Sequence, residues 1–330
     1  MNGSAKRIPV AVIGCGHLGT FHARLYTAHP DASLVAVVDV LEDRARALAQ
    51  ETGARAASDI SEIEEPVRAV SIATPTSTHM DVALACLDRG CHLLVEKPIT
   101  ATEEEARRMI AAAQARGLVV AVGHTERFNP SFREAAAAIR RPRFIEAHRL
   151  APFVPRSLDV DVVLDLMIHD LDLVLAMVAG PPVQVDASGV GVLTPREDIA
   201  NARLLFPDGT VANLTASRIS REKMRKIRIF GDGQYVSIDL LARRFQRAWL
   251  VDGSPDPLER IRWEAREAAD ANPLADEIDD FLKSVSGAGP PRVPAAEGLA
   301  VLRLALEVRR RVRDSLISTG SAPGEGPCAS

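Results

Sequence analysis

Apolar positions along this chain fall into two rhythms. Over the first third, short apolar runs alternate with stretches in which apolar residues recur at helical spacing. The runs Ile8 to Ile13, Leu34 to Val38, Ala69 to Ala73, His92 to Val95 and Val119 to Val122 predict strands. Between them, His17 to Tyr26, Glu42 to Thr52, Thr78 to Arg89 and Thr102 to Arg116 predict helices. The last of these opens on Thr102-Glu103-Glu104-Glu105, the form of a capping box. Near-continuous apolar strands alternating with amphipathic helices predict a parallel sheet covered on both faces.

From Gly123 onward the rhythm changes. The segment His124 to Pro130 leads into a predicted helix at Ser131 to Ile139, a strand at Arg143 to Leu150 and a proline-containing loop at Ala151 to Leu158. An apolar helix follows from about Val162 to Val178, ended by Gly180-Pro181-Pro182. Extended segments then run over Val183 to Val192, Ile199 to Phe206, Val211 to Ser217, Met224 to Phe230, Tyr235 to Leu240, Arg244 to Val251 and Leu258 to Trp263. Pro207-Asp208-Gly209 and Gly231-Asp232-Gly233 are hairpin signals, so this second sheet should be largely antiparallel. Helices at Pro273 to Val285 and Ala295 to Leu316 complete the pattern, and the small, polar tail after Ser318 is expected to be disordered.

Composition narrows the function classes. At 330 residues, 47% of them hydrophobic, the chain suggests two domains with sizeable cores. A net charge of −4 with interspersed signs argues against nucleic acid and against a membrane surface as partners. Cys15, Cys86, Cys91 and Cys328 have neither metal-ligand spacing nor disulfide-framework density, so no metal is expected and a reducing compartment is. Met1 to Arg7 is too short and polar for a signal peptide, and no apolar run is long enough to span a bilayer. These features together predict a soluble cytoplasmic protein.

The candidate chemistry starts where the first strand breaks. Gly14-Cys15-Gly16-His17-Leu18-Gly19 joins a strand to a helix, with Gly14 for the bend, Gly16 for close approach of a pyrophosphate and Gly19 for helix-strand packing. His17 and Leu18 open the helix whose free N–H groups would face the phosphates. The strand Leu34 to Val38 ends in Asp39, twenty residues after Gly19, where a carboxylate can accept from adenosine ribose hydroxyls. That carboxylate would repel a 2′-phosphate, so NAD is favoured over NADP, with Arg44 as the nearest opposing cation. The first domain, residues 1–122, is therefore a Rossmann dinucleotide-binding domain. The second, residues 123–317, is expected to be an α/β domain with a large, mostly antiparallel sheet, and residues 318–330 form the tail.

Ligands of parallel sheets bind at the C-terminal strand ends. Two loops there, Thr74-Pro75-Thr76-Ser77-Thr78-His79 and Glu96-Lys97-Pro98, are expected to supply further cofactor contacts at Thr74, Pro75, His79, Glu96 and Lys97. A solvated loop lysine is the ordinary alternative for Lys97. In the second domain the apolar helix around Leu164 carries Asp165, His169, Asp170 and Asp172. Asp165 and His169 lie four apart, on one helical face, and a carboxylate beside an imidazole raises its basicity for proton transfer. A surface salt-bridge pattern or a core histidine would be the bland reading of that pair.

Taken in order, the glycine turn, Asp39, Thr74-Pro75 with His79, Glu96-Lys97-Pro98, and Asp165 with His169 resemble the family of glucose-fructose oxidoreductase, inositol 2-dehydrogenase and related sugar dehydrogenases. The resemblance runs from about Ile8 to Leu316. It implies a Rossmann domain, a C-terminal α/β domain whose open sheet serves substrate binding and oligomer contacts, and hydride transfer at a carbohydrate carbinol or carbonyl. Carried onto this chain, it makes Lys97 the residue that positions the reacting hydroxyl, His169 the acid/base and Asp165 its orienting or substrate-contacting partner. In this family the peptide before the proline corresponding to Pro98 is often cis.

Within the family, Gly123 to Pro130 and His148 to Ser157 look like the branch that oxidises nucleotide-linked amino sugars, the UDP-N-acetylglucosamine 3-dehydrogenases. Such a site needs cations for a diphosphate, and Arg127, Arg149 and Arg156 are the candidates, with Asn129, Asp165 and His169 beside them. Structural salt bridges are the equal alternative for these arginines. The resulting expectation is an NAD-dependent oxidation of a sugar secondary alcohol, at C3 of UDP-N-acetylglucosamine. Its rivals are an inositol-type dehydrogenase of free polyols and a cofactor-binding regulator without turnover. An open sheet face further suggests a homodimer or homotetramer.

Overall fold

The structure, a computed structural model, describes residues 7–154, 161–268 and 270–318. The chain divides into two compact units: Met1–Phe128 with Asn272–Leu302, and Asn129–Ala271 with Arg303–Ser330.

The first unit is built on six parallel strands, β1 (Ile8–Ile13), β2 (Ala32–Val38), β3 (Arg55–Ala57), β4 (Ala69–Ile72), β5 (His92–Glu96) and β6 (Val120–Gly123). Their order is β3-β2-β1-β4-β5-β6. Helices α1 (His17–Ala28), α2 (Glu42–Thr52), α3 (His79–Asp88) and α4 (Glu103–Ala115) alternate with the strands, and the Thr102–Glu105 capping box of α4 is formed. Only the three-residue edge strand β3 escapes the sequence pattern, being too short to show a period. Register places Ile13 beside both Val38 and Ile72, Ile72 beside Val95, and Val95 beside Val122. The turns carrying Gly14, Asp39, Thr74, Lys97 and His124 therefore leave from the same, C-terminal end of the strands.

The second unit opens with α5 (Pro130–Ala138) and β7 (Pro142–Leu150). A π-helical turn (Val163–Met167) then runs into α6 (Ile168–Met177), where the sequence predicts one regular helix. Six strands follow: β8 (Gln184–Val190), β9 (Ile199–Leu205), β10 (Val211–Ser217), β11 (Met224–Gly231), β12 (Gln234–Asp239) and β13 (Arg244–Leu250). The predicted strand at Leu258 to Trp263 is replaced by a one-turn helix α7 (Pro257–Arg260) and β14 (Ile261–Glu267). Asp256 caps α7 by accepting from the Leu258 N–H at 2.8 Å, and Pro257 stands in its first turn, a helix-start signal that overrides the apolar run. The sheet order is β14-β13-β12-β11-β7-β10-β9-β8, antiparallel except for the β7–β10 pair.

Two helices complete the chain, α8 (Pro273–Val285) and α9 (Ala295–Ser318). The stripe Ile278, Phe281, Leu282 and Val285 of α8 joins Ile8, Val10 and Ala32 in one buried cluster. This stripe returns residues 272–302 to the first unit, whereas the sequence reading assigned them to the second. The tail expected to be disordered lies outside the described residues. No helix among the described residues is long and apolar enough to cross a membrane.

Candidate active site

The glycine turn separates what the fold requires from what a ligand requires. Gly14 has φ +94°, and a Cβ there would stand 2.5 Å from the Ala73 carbonyl oxygen. A Cβ on Gly19 would fall 1.7 Å from the Gly14 carbonyl oxygen. Gly16, by contrast, would meet nothing within 4 Å. Packing does not explain Gly16, and the open space above it suits the close approach of a diphosphate. The adjoining end of α1 has no side-chain cap, so its first N–H groups stay available to an anion.

Asp39 is oriented by the turn it faces. Its Oδ2 accepts from the Cys15 N–H at 2.8 Å and its Oδ1 from the Leu41 N–H at 2.9 Å. A carboxylate has lone pairs to spare beyond these two bonds for ribose hydroxyls. A cavity of about 750 Å³, within the usual range for cofactor pockets, is lined by Gly14, Gly16, Asp39, Arg44, Thr74 and Pro75 among others. Val40 and Leu41, exposed and apolar at its wall, suit a nucleobase. The Cys15 thiol is pushed up to about 12 by burial and then by the Asp39 charge, so it stays protonated and is no nucleophile. His17 and Leu18 are exposed on the first turn of α1, His17 meeting Phe21 edge-on at 5.0 Å.

Two predicted cofactor contacts also bond within the fold. His79 is buried, with Nε2 3.0 Å from the Thr74 carbonyl oxygen and Nδ1 3.0 Å from that of Pro98. It ties the Thr74 loop to the Lys97-Pro98 loop instead of facing the cavity. Burial pushes its pKa down, against the pull of these carbonyls. The Glu96 carboxylate is likewise buried, its Oε1 3.0 Å from His22 Nε2 and its Oε2 accepting from the Lys97 N–H at 3.3 Å. Lys97 follows at the end of β5, half-buried, with a cis peptide to Pro98.

In the second unit, Asp161 accepts from the Val163 and Leu164 N–H groups at 3.1 and 2.9 Å and so caps the π turn. The Ile168 N–H bonds to the Val163 carbonyl five residues back, which widens the helix just where Asp165 sits. Asp165 and His169 are both half-buried, His169 between the buried Ile168 and Asp170.

Two of the expected phosphate-binding cations form ion pairs within the fold. Arg149 is 2% exposed, and its Nε and Nη2 donate to the two Asp170 carboxylate oxygens at 3.0 and 2.8 Å. Arg127, also buried, pairs with Glu297 at 2.6 Å in the first unit. Asn129 caps α5, its Oδ1 accepting from Ser131 N–H at 3.2 Å while its Nδ2 donates to the Leu240 carbonyl at 2.9 Å. A polar side chain held inside the fold must satisfy its hydrogen bonds there. Arg156 lies outside the described residues.

Comparison with known proteins places the chain in a family. Residues 8–124 match the oxidoreductase family with an NAD-binding Rossmann fold, and residues 133–237 match the GFO/IDH/MocA C-terminal domain. The chain belongs to this Gfo/Idh/MocA oxidoreductase family. It is 44% identical to the UDP-N-acetylglucosamine 3-dehydrogenase of Acidithiobacillus ferrooxidans over 90% of this chain and 95% of that one. A solved structure of that enzyme superposes with a TM-score of 0.87, covering 94% of this chain and 99% of the other. The myo-inositol 2-dehydrogenase of Thermotoga maritima is 27% identical over 92% of this chain and 96% of its own length.

The Rossmann unit of this oxidoreductase contributes further residues that the sequence pattern does not mark. Ser58, Asp59 and Ile60, from the segment after β3, and Asp81, Val82 and Ala85 of α3 also line the cavity. His22, Tyr26 and Ser71 form a buried polar array with Glu96. A histidine on the buried face of α1, three residues after Gly19, was the available signal for that array. Among the described residues no three His, Cys, Asp or Glu side chains gather as a metal site.

Proposed function

We propose that this family member is an NAD-dependent dehydrogenase that oxidises the C3 hydroxyl of UDP-N-acetylglucosamine to a ketone. The observation that carries the reading is 44% identity, over 90% of this chain, to an enzyme of that name. Lys97, Asp165 and His169 support it, since a binding-only protein has no physical need for an acid/base pair. NAD is preferred over NADP because Asp39, Asp59 and Asp81 outnumber the single cation Arg44 in the cavity lining.

A bound nicotinamide would supply the acceptor for the hydride leaving the sugar carbon. His169 takes the hydroxyl proton as the carbonyl forms, and Asp165 orients His169 or contacts the sugar. The Lys97 ammonium stabilises the negative charge developing on the reacting oxygen. In this reading the enzyme works in the cytoplasm as a homodimer or homotetramer, through the uncovered face of the large sheet. An aromatic row crosses that sheet, Phe144 to Phe230 at 6.0 Å, Phe230 to Tyr235 at 5.1 Å and Tyr235 to Trp263 at 6.4 Å.

One observation favours the inositol-type reading as the alternative. Arg127 and Arg149 are already paired, which leaves fewer cations for a diphosphate. The deciding experiment follows reduced-nicotinamide absorbance with NAD and UDP-N-acetylglucosamine, with NADP, inositol and glucose as parallel arms. A rise confined to the nucleotide sugar supports the proposal, and a rise with inositol alone replaces it.

A further inference from the structure

A parallel sheet covered on both faces is ordinarily apolar inside, yet four polar side chains stand in a row within the first unit. Tyr26 Oη is 2.8 Å from Ser71 Oγ, Ser71 Oγ is 3.1 Å from His22 Nδ1, and His22 Nε2 is 3.0 Å from Glu96 Oε1. Tyr26, Ser71 and His22 are 0% exposed and Glu96 is 6% exposed. With Glu96 ionised and His22 neutral, one proton assignment uses every bond. Tyr26 O–H donates to Ser71, Ser71 O–H donates to His22 Nδ1, and His22 Nε2–H donates to Glu96. The array is directional, and it ends on the residue before Lys97.

The other carboxylate oxygen is fixed as well. Glu96 Oε2 accepts the Lys97 backbone N–H at 3.3 Å, and a Cβ on Gly123 would come 3.0 Å from that same oxygen. Burial alone would raise the Glu96 carboxyl's pKa, but the His22 hydrogen bond and the Lys97 charge pull it the other way, and the group lies below its ordinary value. Folding does not require such an array, because well-packed apolar side chains in place of buried polar ones are often neutral or stabilising.

We propose that His22, backed by Ser71 and Tyr26, is a positioning residue for Lys97: it locks the Glu96 carboxylate, which fixes the Lys97 backbone and keeps an anion beside the ammonium. The proposal rests on the reading of Lys97 as the group that meets the reacting oxygen. Its test is therefore read on Lys97 itself as well as on turnover.

The full-length chain and its His22→Leu, His22→Gln and Ser71→Ala variants are treated with a limiting amine-acylating reagent. Labelling at Lys97 is followed by mass spectrometry, with Lys226 and Lys283 as internal references. His22→Leu should accelerate Lys97 labelling by about threefold or more, since a loosened, neutralised Glu96 no longer favours the ammonium. It should also lower kcat by about 10²-fold with the KM for NAD unchanged. His22→Gln, whose amide can still donate to Glu96, should restore most of both. Wild-type labelling in folded His22→Leu overturns the proposal, as does a kcat loss without a labelling change, which would mark His22 as merely structural. If His22→Leu fails to fold, Ser71→Ala takes its place, and unchanged Lys97 labelling there overturns the proposal equally. Accelerated labelling in a chain that oxidises no sugar would retain the positioning device and reject the proposed function.

Discussion

Arg149 and Asp170 face each other inside the second unit as a two-point ion pair, with side chains 2% and 3% exposed. Removing one partner takes a buried two-point bond from the other charge. Arg149→Ala should therefore lower unfolding free energy by about 3–5 kcal/mol in a urea titration. An Arg149→Met, Asp170→Leu double variant should recover much of that loss. Unchanged stability in Arg149→Ala, with a large rise in the KM for nucleotide sugar, would return Arg149 to the substrate site.

Asp39 holds the glycine turn through Cys15 N–H and faces the cavity. Asp39→Ala should weaken NAD binding by about tenfold or more. NADP should lose less, because the carboxylate that opposes its 2′-phosphate is gone. Titrating both dinucleotides by calorimetry checks the pair of shifts, and an equal loss for the two would remove Asp39 from cofactor choice.

His169→Ala should cut kcat by about 10² to 10⁴-fold while NAD affinity stays near wild type. Asp165→Asn should give a smaller loss in kcat. Wild-type turnover in the His169 variant would move the acid/base role to another group.

Acid should weaken the first unit through Glu96. Its folded pKa lies below the ordinary 4.5, so the stability it contributes is present above about pH 4.5 and is lost as pH falls through the folded value. Urea midpoints measured from pH 7 down to pH 3 should fall more steeply for the wild type than for Glu96→Gln, which has no proton to take up there. Parallel curves would mean that the carboxylate titrates alike in folded and unfolded chains.

The aromatic row ends on Trp263, which is 66% exposed. If the uncovered sheet face joins copies of the chain, Trp263→Asp combined with Phe230→Glu should lower the mass seen by light scattering. An unchanged mass would place the oligomer contact elsewhere.

Much of the Rossmann unit was legible because its signals are local. The Gly14 bend, the capping box at Thr102 and the apolar strands each lie within a dozen residues, and Asp39 follows from a spacing. The π turn at Val163–Met167 was hidden, since its apolar residues read equally well at 3.6 residues per turn. The helix at Pro257 was masked by an apolar run, although its Asp-Pro start was visible.

By itself, then, the sequence determined the order of elements, the glycine turn with its acidic partner, and which residue types stand at the ends of β1, β2, β4 and β5. Those features depend on backbone conformation and on the period of burial, which neighbouring residues impose on one another. The tertiary structure alone decided how each polar side chain is spent. Arg149 meets an aspartate 21 residues away, Arg127 a glutamate 170 residues away, and Glu96 a histidine 74 residues before it. A buried charge takes whichever partner the packed fold brings within hydrogen-bond reach, and no local pattern records that distance.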